Sequence, residues 1–79
     1  MVLQFRPEDA DFCDNIQALY QDRQHELRYT VYLKTGNVIV SHKLHYCRLV
    51  GATYDTLEID SQRFSLIDVE RVRVRFVAD

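Results

Sequence analysis

A chain of 79 residues with 47% apolar and 28% charged side chains makes one domain, too apolar for a disordered tail and too small for a deep catalytic pocket. Its formal net charge of −2 argues against binding nucleic acid by general electrostatic attraction and leaves room for a local basic stripe. No run approaches the ~18 consecutive apolar residues of a membrane span, and no basic stretch followed by an apolar core opens the chain. A cytoplasmic protein that needs no processing is expected.

The single domain, residues 1–79, divides into an arm (1–8), a helix (9–26) and a small β-barrel (27–77). In the arm, Leu3 and Phe5 are apolar, and Pro7 biases Arg6 toward extended backbone, so the arm is expected to pack back on the core. Phe12, Ile16, Leu19, Tyr20 and Arg23 then recur at spacings of three and four, the period of one helix face. Asp11 stands where an N-cap is needed, with Asp14 three residues on, and Glu8, Asp9, Asp11 and Asp14 complement the positive end of the helix dipole. The wet face carries Asp14, Gln17, Gln21 and Asp22. The helix has to end near Gln24, His25 and Glu26, none of them a strong breaker, because alternation begins at Leu27.

Residues 27–40, LRYTVYLKTGNVIV, carry the clearest local signal: Tyr29, Val31 and Leu33 alternate with Arg28, Thr30, Tyr32 and Lys34, and Gly36 turns the chain back. The returning strand is expected to set Val38, Val40, Leu44 and Tyr46 inward against Ile39, Ser41, Lys43 and His45, with a bulge or bend near Ser41 and His42 where the parity lapses. Residues 47–53 read as a loop around Gly51. Leu57 and Ile59 then point inward from a strand that turns at Asp60, Ser61 and Gln62 into residues 63–66. A single tight helical turn at residues 67–70 precedes a last strand with Val72, Val74 and Phe76 on one side and Arg71, Arg73 and Arg75 on the other. The fold class is therefore mainly β with one N-terminal α-helix, a five-stranded SH3-like or Sm-like barrel capped by the helix.

Little in this pattern suggests catalysis. His42, His45 and Cys47 are suitable zinc ligands by type, yet positions 42 and 45 of a strand point to opposite faces, and ordinary strand histidines are the stronger reading. Neither Cys13 nor Cys47 has a base or a water-excluding pocket implied by its spacing. The two follow no disulfide or metal pattern, so reduced thiols are expected. Gly36 and Gly51 each serve a turn, which leaves no glycine-rich phosphate loop. No catalytic residue, metal or cofactor is expected. Arg71, Arg73 and Arg75 put three guanidinium groups on one face, a possible RNA-binding row. An edge strand protected by charge is the favoured reading of them. Tyr32 and Tyr46 could stack bases if exposed, but tyrosines in a small sheet are more often there for packing. Glu8, Asp9, Asp11, Asp14 and Asn15 could dock on a basic groove, and dipole complementation accounts for the same carboxylates.

At TVYLKTGNVIV, followed by a loop, TLEID, a polar turn and FSLIDVERVRV, the chain resembles the Sm-like barrel superfamily, whose first motif ends a strand in a Leu-Lys-x-Gly hairpin. It departs from the RNA-binding Sm members in the loop after the second strand, which lacks an Asp or Asn. It departs again at Ile67, Asp68 and Val69, where those members place a glycine-containing motif. The whole-chain arrangement is similar to the Rof-like family, small acidic bacterial proteins that inhibit the transcription termination factor Rho. The likeness lies in Cys13, Asp14 and Asn15 opening the helix, in the Leu33, Lys34, Gly36 hairpin, and in the Leu-x-Asp-apolar element at residues 66–69. That resemblance implies a non-enzymatic, antiterminating regulator that covers a nucleic-acid site on its protein partner with acidic side chains, and it carries over onto Asp14 and Asn15. The YolD-like bacterial proteins share the helix-plus-barrel outline, which leaves a small bacterial interaction module as a further reading.

Overall fold

The computed structural model describes residues 2–22, 24–42, 44–50 and 53–77, and of residues 45–50 and 53–55 it gives the backbone only. Among the described residues, seven strands and one α-helix follow in the order β1 (Val2–Phe5), α1 (Phe12–Tyr20), β2 (Leu27–Leu33), β3 (Val38–Ser41), β4 (Leu44–Val50), β5 (Thr53–Ile59), β6 (Gln62–Ser65), a 3-10 turn (Leu66–Asp68) and β7 (Val69–Phe76). All pairings are antiparallel, in a four-stranded sheet of order β1-β7-β2-β3 and a three-stranded sheet of order β4-β5-β6. The protein is thus mainly β with one helix. Five strands were expected. The arm supplies one more as β1, and the long returning strand divides between Ser41 and Leu44, where the chain leaves one sheet for the other. The expected loop at 47–53 is mostly strand, since β4 runs to Val50 and β5 starts at Thr53.

The helix is shorter than the 9–26 expected, and side chains stop it at both ends. Before it, the Asp9 N–H donates to the Arg6 carbonyl (3.0 Å) and the Arg6 N–H donates back to the Asp9 carboxylate (3.3 Å). This closes a turn around Pro7, a residue suited to the second position of such a turn. After it, the Asp22 carboxylate accepts the N–H groups of Gln24 (2.8 Å) and His25 (3.2 Å), so the backbone is satisfied without another helical turn. Asp22, on the wet face by sequence, is the breaker that Gln24, His25 and Glu26 are not. Phe12 and Ile16 are buried, and Leu19 and Cys13 pack against the same core.

The β2–β3 connection is a three-residue loop. The Leu33 N–H donates to the Asn37 carbonyl and the Gly36 N–H to the Leu33 carbonyl, both at 2.9 Å, while Gly36 takes a φ of +98°, the left-handed residue that such a loop requires. The loop sets Ile39 opposite Val31 and Ser41 opposite Tyr29. Opposed residues share a sheet face, so Ile39 and Ser41 turn inward, and Val38 and Val40 are 53% and 57% exposed. This corrects the inward placement of the two valines. Residues 60–61 turn with positive φ at both Asp60 (49°) and Ser61 (71°), the conformation of a two-residue hairpin turn matched to strand twist. From this turn the Asp60 carboxylate accepts the Ser41 hydroxyl at 2.7 Å, a bond from one sheet to the other.

Phe12 and Ile16 of α1, Leu27, Tyr29 and Val31 of β2, and Val69, Val72 and Val74 of β7 form one core with Leu44, Leu57 and Ile59 of the second sheet. On β7 a bulge at Glu70 sets Tyr32 opposite Arg71 but Leu33 opposite Val69. The extra residue allows Val69 and Val72, three apart, to face the core together.

Candidate functional site

Two surfaces of opposite charge stand out. The first is the start of α1, where Glu8, Asp9, Asp11 and Asp14 are exposed and Asn15 is half-buried. Asp9 is engaged by the Arg6 amide. Asp11 occupies the N-cap position but makes no side-chain capping bond, because its backbone (φ −101°, ψ 13°) lies outside the extended region from which a cap carboxylate reaches the first-turn amides. Its carbonyl does accept the Asn15 N–H at 2.9 Å. Capping therefore does not account for Asp11. Glu8, Asp11 and Asp14 take part in no ion pair among the described residues.

The second surface is the outer face of the four-stranded sheet. The edge-strand reading of the arginine row fails here, because β7 is hydrogen-bonded by β1 on one side and β2 on the other. Two-sided pairing needs no protection by charge. The registers place the outward residues in cross-strand rows: Val2, Arg75 and Arg28; Gln4, Arg73, Thr30 and Val40; Arg71, Tyr32 and Val38. The Arg71 guanidinium lies 3.8 Å above the Tyr32 ring centre and also bonds the Glu70 carboxylate, so Tyr32 serves as a cation-π platform. Arg28, Arg73 and Arg75 are exposed and in no ion pair among the described residues. Arg28 is the direct partner of Arg75. Sequence reasoning left Arg28 out of the row: its outward parity was legible, but its pairing with a strand some forty residues later was not.

The remaining candidates do not assemble. His42 is exposed, and the side chains of His45, Tyr46 and Cys47 lie outside the described residues. No three His, Cys, Asp or Glu side chains among the described residues are grouped to hold a metal ion. Cys13 is a half-buried thiol on α1. His25 Nδ1 lies 2.9 Å from the Asp22 carboxylate, and the His25 ring meets Phe76 edge-on, centres 5.2 Å apart. This contact closes the helix end against the sheet. The Gln24 amide, then the His25 side chain, hold the Asp22 carboxyl below its ordinary value. Burial, and secondarily the Asp22 charge, push the Tyr29 phenol up. No helix among the described residues is long and apolar enough to cross a membrane. No family model matches the chain, and neither a curated protein nor a solved structure matches it.

Proposed function

We propose that the protein is a non-enzymatic regulatory module of the bacterial cytoplasm that docks its acidic helix start on the basic surface of a nucleic-acid-handling protein and blocks RNA access there. The Rof-like resemblance names the transcription termination factor Rho as that partner and antitermination as the outcome. The observation that carries the proposal is the state of Asp11. Its carboxylate caps nothing and pairs with nothing among the described residues, and it stands exposed between Glu8 and Asp14 at the positive end of a helix. Exposed carboxylates clustered at one helix end supply the complementary field that steers a basic partner and fixes its orientation. Asn15, half-buried one helical turn after Asp11, adds an amide. The two sheets over a shared core are read, in the same proposal, as a variant of the small Sm-like barrel.

The test is a pull-down on Rho together with a termination assay, comparing the parent chain with Asp11→Lys and Asp14→Lys. Loss of capture and of inhibition together is the expected result. Retention of both in the doubly substituted chain, with its fold intact by circular dichroism, removes the acidic surface from the interface.

A further inference from the structure

The arginine face has a geometry of its own, independent of the acidic helix start. Arg71, Arg73 and Arg75 occupy alternate positions of one strand, about 6.6 Å apart, and Arg28 adds a fourth guanidinium directly across from Arg75. Like charges placed directly opposite destabilise an antiparallel pair, so the sheet carries this pair at a cost that a bound anion would relieve. β7 is paired with β2 from Val69 to Phe76 and with β1 from Val72 to Arg75. The row is therefore held in fixed register.

We propose that this face binds single-stranded RNA along the β7 row. Evenly stepped guanidinium groups suit a chain of phosphates better than the irregular charges of an acidic protein surface. The Arg71 guanidinium, held 3.8 Å over the Tyr32 ring, offers a plane on which a base stacks. Gln4 and Thr30 flank Arg73 in the same row, an amide and a hydroxyl beside the phosphate line that can bond the ribose 2′-hydroxyl, the group that separates RNA from DNA. Val38 and Val40, exposed on β3 at the end of these rows, give bases an apolar margin. Of these arginines, Arg71 is bonded to a carboxylate, that of Glu70.

Fluorescence anisotropy of a labelled oligouridylate of about 12 nucleotides, titrated with the full chain across a salt series, tests the proposal in the absence of any protein partner. Single-strand contacts give a log–log slope of about −0.7 for each phosphate neutralised, so three to four arginines give about −2 to −3. The Arg73→Gln, Arg75→Gln double variant is expected to lose about 1.4 of that slope and to bind at least about tenfold more weakly at low salt. Arg28→Gln alone is expected to lose about 0.7. Neither variant touches the core, and a thermal melt verifies that both stay folded. Binding that is absent at low salt, or unchanged in both variants, overturns the proposal. Equal affinity for oligothymidylate overturns the assignment to RNA, and equally effective competition by polyglutamate overturns it in favour of an acidic protein. Failure here leaves the Rho pull-down unaffected, since that experiment reads a different surface.

Discussion

The acidic and basic surfaces are held in place by different means. At the helix start, Glu8, Asp11 and Asp14 sit on a turn and the first turn of a nine-residue helix, anchored to the rest by the burial of Phe12 and Ile16. On the sheet, Arg28, Arg73 and Arg75 are fixed by backbone ladders on neighbouring strands. The first surface can adapt its side chains to a partner at little cost. The second presents charges at set intervals, with the entropy of positioning them largely spent during folding. Similar numbers of charges thus make one adaptable surface and one ruled one.

The largest effect is expected where the two surfaces share support. Ile16 is completely buried, so Ile16→Ala should cost about 2–5 kcal/mol, which is comparable with the whole stability of a domain this small. Urea unfolding followed by circular dichroism should show the midpoint collapse, and oligouridylate binding should fail with it. If the sheet keeps its binding while the helix melts, the two regions are less coupled than the common core implies. Arg28→Glu should raise stability by about 0.2–1 kcal/mol, because a favourable pair replaces a repulsive one opposite Arg75; the gain should shrink at high salt. A loss of stability would mean that the Arg28 stem contributes packing. Asp11→Ala should change stability by less than about 0.5 kcal/mol, whereas loss of a working N-cap costs about 1 kcal/mol. A larger loss would return Asp11 to a structural role.

Two titratable groups set opposite pH limits on the fold. The Asp22 carboxyl is held below its ordinary value, chiefly by the Gln24 amide. Its bonds therefore add stability above the unfolded value, about pH 3.9, and that stability is lost as pH falls through the folded value. Tyr29 is shifted the other way, by burial. Its contribution is whole below the unfolded value, about pH 10, and is lost as pH rises through the folded one. Asp22→Asn should flatten the acid side of a melting-temperature profile, and Tyr29→Phe the alkaline side. If Asp22→Asn leaves the acid side unchanged, the helix end depends on more than that carboxylate.

What was legible in the chain was local. The alternation in residues 27–33 and 72–76, the tight turn before the last strand and the hairpin glycine all follow from period and turn chemistry. Val38, Ile39 and Val40 show why the rest was hidden: all three are apolar, so either parity satisfies the pattern, and the number of loop residues decides. A two-residue loop would have put Val38 opposite Val31, whereas the three-residue loop puts Ile39 there. One residue of loop turns the whole strand over. The acidic surface was readable as composition, and the structure added that Asp11 does not cap. The basic surface was half-readable: the row on β7 was visible, but Arg28, Gln4 and the interior place of β7 depend on pairings between distant segments, which no local period encodes.

The pairing of β1 with β7 also governs when the protein can fold. β1 is made some sixty residues before β7, and in the sheet they are neighbours. During synthesis, then, β1 waits for its partner with Leu3 and Phe5 unburied, and β2 can complete only its β3 hairpin. At ribosomal rates of about 5–20 residues per second, that wait lasts several seconds, longer than a small sheet needs to form. The sheet that carries the arginine row can therefore close only after its last strand has been made.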